Sequence, residues 1–234
     1  MREQHRRSIY KNLSPLDHRY YLANTELFER LELYLSEEAA VRYNVRVEEA
    51  LLMAHLREAG LATEELGRKV AAAAEAVDPE EVYREEEQTK HQIRALVRVF
   101  ERNLPEEVLP YVHLGATSVD ILDTGTALRL RDALREVVIP LCVTLTEELI
   151  SIARREAETP QVGRTHGQHA VPITLGFAVA EYVARLGKSV EQMWTLSGEL
   201  RGKLSGAVGG YNAMSLIVSD PVSLEIRFLR ELGI

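Results

Sequence analysis

The chain has 234 residues, 46% hydrophobic and 27% charged, which is enough apolar mass for a sizeable core and rules out a disordered or fibrous chain. Asp and Glu outnumber Lys and Arg 36 to 28, for a formal net charge of −8, and no long basic run offsets it, so the balance argues against generic nucleic-acid binding. The single Cys142 excludes an intrachain disulfide framework and a cysteine-rich zinc site and suits a reducing cytoplasm, and no near-continuous apolar run of about 18 residues offers a membrane span.

Glu, Ala, Leu and Arg are abundant and strand-like alternation is hard to find, so the predicted fold is all-α. Leu27, Leu31, Tyr34 and Leu35 repeat at helical spacing, and after a break expected near Asn44 the pattern continues through Val47, Leu51, Ala54 and Leu56 to Gly60. Thr63 opens a further helix that stops around Asp78-Pro79. Glu85 to Asn103 reads as one more, closed by Pro105. Residues 1–112 are expected to form an N-terminal domain of short helices.

From Thr117 the pattern changes. Thr117-Ser118-Val119-Asp120 resembles a capping box, and Leu130, Leu134, Val138, Leu141, Leu145 and Ile152 recur at threes and fours, predicting one long helix that ends at Glu158-Thr159-Pro160. Pro140 removes a backbone donor inside it, so a bend is expected near Val137. After a short irregular stretch, Leu175, Val179, Tyr182, Leu186, Val190, Met193, Ser197, Leu200 and Leu204 spell a second long helix. Residues 113–234 therefore read as the first part of a central bundle. A helix of about 35 residues spans roughly 50 Å and must be covered along its length, which points to a bundle shared between subunits of a homo-oligomer.

Between the long helices, Gly163-Arg164-Thr165-His166-Gly167-Gln168-His169 is dense in polar groups, and its glycines free the backbone to aim Thr165, His166 and Gln168 at a ligand. His166 is the natural general acid or base near neutral pH. His113-Leu114-Gly115-Ala116-Thr117-Ser118 enters the first long helix, whose N-terminal N–H groups favour carboxylates and phosphates. Thr89-Lys90-His91, read as mid-helix, is a weaker signal. Ser14-Pro15-Leu16-Asp17 leads to Arg19 and Tyr20 in a turn where Arg19 could grip a phosphate in bidentate fashion. Ser205-Gly206-Ala207-Val208-Gly209-Gly210 is a glycine-rich exit that lacks the Gly-Lys-Ser/Thr ending of a P-loop.

Taken together, these five segments resemble the fumarase/aspartase superfamily, and within it the adenylosuccinate lyase family, over nearly the whole chain. The resemblance implies an elimination that breaks a carbon-nitrogen bond and releases fumarate from adenylosuccinate or the related succinylocarboxamide ribotide of purine biosynthesis. It implies His166 as the general acid on the departing nitrogen and His91 as an aid to binding and orientation. Thr117, Ser118, Thr165 and Gln168 would hold the succinyl carboxylates, and Arg19 and Tyr20 would contact the nucleotide phosphate. It implies no metal or organic cofactor, a small-molecule nucleotide substrate, and a cytoplasmic homotetramer as the complete enzyme. Gln92 stands after His91 where many members carry Asp. The family's loop rich in Ser, Met, Pro, Lys and Asn, which supplies the base, is not in these residues, so they are expected to be an N-terminal half that is inactive alone. The alternatives are another superfamily enzyme, such as argininosuccinate lyase or a carboxymuconate cycloisomerase, and a non-catalytic helical assembly module.

Overall fold

The computed structural model describes residues 8–234, whose regular elements are helices apart from one small two-stranded sheet. Packing divides the chain into two units, one running to Leu130 and resuming at Leu200–Ile234, the other comprising Arg131–Glu199. Among the described residues no helix is long and apolar enough to cross a membrane.

The first unit opens with α1 (Asp17–Tyr20) and α2 (Thr25–Leu35), which ends at Ser36. The Ser36 hydroxyl then accepts from the Ala39 N–H at 3.1 Å and starts α3 (Glu37–Glu58). The break expected near Asn44 does not occur there; α3 runs through it, because Asn44 is buried against Gly125, where a Cβ would lie 2.3 Å from the Asn44 Oδ1. Around α3 stand α4 (Glu64–Glu75), N-capped by Thr63, then α5 (Pro79–Thr89) and α6 (Gln92–Asn103). Val41, Val45, Leu52 and Leu56 of α3 pack with Val70, Val82, Leu96 and Phe100. Val47, Leu51 and Ala54 pack with Ile93, Ile121, Leu128, Leu204 and Phe228. An axial helix packed on two faces, α3 is the most deeply buried of the early helices.

The single helix expected over Glu85–Asn103 is two. Lys90 adopts a left-handed φ of 53°, and the His91 N–H turns to the Thr89 hydroxyl at 3.4 Å instead of continuing the α5 ladder, while the His91 C=O accepts the Ala95 N–H at 3.0 Å and starts α6. α6 doubles back on α5, and Arg98 and Arg102 both reach the buried Glu85, the former at 3.0 Å.

The long helix predicted from Thr117 comprises α7 (Ser118–Ala133), a π-helical turn at Leu134–Val138, and α8 (Ile139–Arg155). The expected disturbance near Val137 takes the form of this widened turn, just before Pro140, whose missing N–H and bulky ring cannot fit an unbroken α-helical ladder.

The stretch expected to be irregular is an antiparallel hairpin of β1 (Pro160–Thr165) and β2 (Gln168–Thr174). Most of its residues are exposed on both faces, so no apolar alternation marks it in the sequence. A bulge separates Val162 from Arg164, and the glycine between them approaches the opposite strand so closely that a Cβ would lie 2.5 Å from the Val171 carbonyl oxygen.

α9 (Leu175–Ser197) ends seven residues before the predicted Leu204. Ser197 terminates it: its hydroxyl donates to the Trp194 carbonyl at 2.7 Å and accepts from Arg135 Nε at 2.9 Å. Leu204 instead joins the core of the first unit beside Phe228 of α10 (Pro221–Leu232).

Phe228 is fully buried, so Phe228→Ala is expected to lower stability by about 3–5 kcal/mol, whereas Val222→Ala on the exposed side of α10 should stay within about 0.5 kcal/mol. Urea denaturation measures both; equal effects would mean that α10 is not part of the core.

His55 is buried with Nε2 2.8 Å from the Leu114 carbonyl. Burial disfavours its imidazolium and holds its pKa below 6.5, outweighing the opposing pull of the Leu114 carbonyl. A histidine depressed in the folded state contributes stability above its unfolded value and loses it as pH falls through the folded one. His55→Gln retains a donor for Leu114 and is expected to flatten the fall in stability between about pH 7 and about pH 5. Urea midpoints across that range measure it, and an unchanged slope would reject the assignment.

Candidate active site

In the first unit, the 3-10 segment Glu106–Tyr111 leads into a loop whose backbone reverses at His113, with φ 53°, and at Gly115, with φ 73°. His55 holds this loop through the Leu114 carbonyl. α7 then begins at Ser118, and Thr117 and Ser118 stand at its N-terminus, both partly exposed. Asp120, in the first turn, accepts the Thr117 N–H through Oδ2 at 2.9 Å, the return half of the capping box legible in the sequence.

Asp120 does more than cap. Its side chain is 0% exposed, and Oδ1 accepts from Lys203 Nζ at 2.6 Å, from Ser205 N–H at 3.2 Å and from Gly206 N–H at 3.1 Å. Lys203 also donates to the Gly206 carbonyl at 2.9 Å, and Thr124 Oγ1 bonds both the N–H and the C=O of Lys203. The glycine-rich segment after Ser205 is thus tied directly to the start of α7. Tyr211 closes it by donating to Glu225, and that hydrogen bond holds the phenol up at about 12.

His91 is the N-cap of α6 rather than a mid-helix residue, its Nδ1 accepting the Arg94 N–H at 3.3 Å, and the side chain is exposed. Arg94 in turn contributes its charge at His113, which links these two turns electrostatically. Arg19 and Tyr20 lie exposed on α1, whose buried Asp17 accepts the Leu13 and Ser14 N–H groups at 2.8 and 2.9 Å and fixes the approach to it.

In the second unit, Thr165 and Gln168 are paired across the tip of the hairpin, and His166 and Gly167 form its two-residue loop with φ values of 52° and 71°. Positive φ at both central residues is the type I′ pattern, whose twist matches that of the flanking strands. The turn presents the imidazole and both polar neighbours to solvent. Among the described residues, no cluster of three His, Cys, Asp or Glu side chains is arranged to hold a metal ion.

Sequence reasoning missed Asp120, Lys203 and Glu48 as individual site-shaping residues. Glu48 had a readable signal: it stands three residues after Val45 and four before Leu52, on the buried stripe of α3, and is 0% exposed. Its Oε1 lies 2.6 Å from His113 Nδ1. Lys203 had none, since its partner lies 83 positions away.

Comparison with known proteins bears on the chain as a whole. Residues 18–227 match the protein family described as lyase. The chain is 35% identical over 221 residues to an adenylosuccinate lyase of Archaeoglobus fulgidus, covering 94% of this chain and 47% of that protein. It is 33% identical over 179 residues to an N-acetyl-S-(2-succino)cysteine lyase of Enterococcus italicus, covering 75% and 39%. Among solved structures, it superposes on 3-carboxy-cis,cis-muconate lactonizing enzyme from Pseudomonas putida with a TM-score of 0.76 at 29% identity, covering 88% and 47%, and on a fumarate lyase from Mesorhizobium sp. BNC1 with a TM-score of 0.72 at 27% identity, covering 89% and 47%. The chain spans about half the length of the relatives it matches. It belongs to the fumarase/aspartase superfamily of lyases.

Proposed function

We propose that these residues form part of an enzyme that eliminates fumarate from adenylosuccinate and from the related succinylocarboxamide ribotide of purine biosynthesis. The observation that carries the reading is the hairpin tip, where a type I′ turn presents His166 between Thr165 and Gln168. The named relatives support the choice of substrate, several of them adenylosuccinate lyases at about a third identity.

In this reading a base removes a proton from the succinyl carbon next to the one bearing nitrogen. The electron pair forms the carbon-carbon double bond of fumarate, and the carbon-nitrogen bond breaks. His166 delivers a proton to the departing nitrogen, while Thr165, Gln168, Thr117 and Ser118 donate to the succinyl carboxylates, one of which gathers charge as the first proton leaves. His91 orients the substrate, and Arg19 with Tyr20 takes its phosphate. The base comes from outside these 234 residues, which alone do not turn over substrate. Residues 113–234 supply the first long helices of a central bundle. Leu141, Leu145 and Tyr182 are exposed on α8 and α9, a face that assembly into a cytoplasmic homotetramer would cover.

The Enterococcus relative favours a second reading, in which the leaving atom is the sulfur of a succinylated cysteine. Parallel turnover assays of the complete enzyme on adenylosuccinate and on N-acetyl-S-(2-succino)cysteine decide between them; turnover of the sulfur compound alone would reject the purine reading.

For the complete enzyme, His166→Asn is expected to lower kcat by about 10² to 10⁴ with little change in KM, since a proton donor acts as charge develops on the leaving atom. His91→Asn should raise KM more than it lowers kcat. Steady-state kinetics read both, and a His166 variant with normal kcat would remove the proposed acid.

A further inference from the structure

The mechanism above uses neither Glu48 nor His113, yet they form the most unusual pair in the first unit. Glu48 is 0% exposed, its Oε1 is 2.6 Å from His113 Nδ1, and its Oε2 is buried with no hydrogen-bond partner among the described residues. A buried carboxylate with a bare oxygen is a poorer choice for stability than the apolar side chain that the α3 stripe calls for. Packing therefore does not account for Glu48.

His113 stands four residues before Thr117, in a left-handed conformation, with 25% of its side chain exposed. Its Nε2 makes no hydrogen bond among the described residues. The charged groups that act on it come from three elements: Glu48 of α3, Arg94 of α6 and Asp120 of α7. Burial disfavours its charged form and Arg94 opposes it too, but the hydrogen bond to Glu48 and the charges of Glu48 and Asp120 prevail, and the net displacement is upward from 6.5.

We propose that Glu48 is a positioning residue for the start of α7: its carboxylate accepts the His113 Nδ1–H and orients the ring, favouring the form in which Nε2–H is a donor for an oxyanion of the substrate. Without that carboxylate, burial favours the neutral ring. An Nδ1–H tautomer would then turn a bare Nε2 lone pair toward the anion, which repels it. Only the step to substrate rests on the lyase reading, because the charge of His113 is a property of this chain by itself.

Two measurements test it. In the first, ring-labelled histidine NMR on the 234-residue chain, with the signal assigned through His113→Gln, follows the titration of His113. The expected midpoint lies above 6.5 in the unaltered chain and below it in Glu48→Gln, with helical circular dichroism retained and Glu48→Asp restoring part of the displacement. A midpoint at or below 6.5 in the unaltered chain overturns the proposal even if the variants fail to fold, and so does a midpoint that Glu48→Gln leaves in place. In the second, the complete enzyme is assayed with its substrate across pH. Glu48→Gln should raise KM about tenfold near pH 7, with a smaller ratio near pH 5.5 where the ring recovers its proton, and leave kcat within about twofold. A pH-independent loss, or a loss confined to kcat, overturns the positioning role. Failure of the lyase reading is separately visible as absent turnover by the unaltered complete enzyme while the NMR result stands.

Discussion

A carboxylate that is wholly removed from water has to be met by donors, and Asp120 is met from both sides of the chain. The Thr117 N–H comes from the turn before its own helix, while Lys203, Ser205 and Gly206 come from a segment more than eighty residues downstream. Satisfying one buried acid therefore fixes three things together: where α7 starts, how the loop carrying Thr117 and Ser118 is shaped, and the path by which the chain returns to the first unit. Leu204 and Phe228 enter the core along that return. The candidate binding residues at this end of the molecule owe their geometry to a neighbour that itself need not touch a ligand.

The helical character of the chain was legible because helix period and capping chemistry are local. Thr63, Asp78 and the Thr117-to-Asp120 box all act within four residues of themselves, and each marks a real boundary. What sequence periodicity could not show is where a helix breaks for reasons of side-chain competition or distant packing. The Thr89-Lys90-His91 turn looks like a continuing charged helix until the Thr89 hydroxyl is seen to take the His91 N–H. Asn44 looks like a breaker until Gly125, eighty-one residues on, is seen to make room for it. The hairpin is the extreme case: with both faces exposed, it has no apolar alternation to read.

The same division applies to the site. Candidate residues that a motif names, such as Thr165, His166 and Gln168, stand out because their types and adjacency are unusual in a loop. Residues that shape the site from behind do not. Glu48 shows only as an acid in the wrong phase of an apolar stripe, and its meaning depends on a histidine sixty-five positions away. Family membership adds the likeness of whole chains, which half-length coverage limits to what these residues themselves contain.

The loop at the tip of the hairpin has a consequence for how this protein can change over time. Two-residue loops of its kind favour Asn followed by Gly, because Asn tolerates a left-handed backbone better than most residues; this chain keeps the Gly and places a histidine, at φ 52°, where Asn would sit more comfortably. Mutational drift toward a more robust fold, or a thermostability screen blind to activity, would therefore be drawn to the very position that carries the imidazole. A histidine at that position costs the turn some stability that only a use of the imidazole would offset.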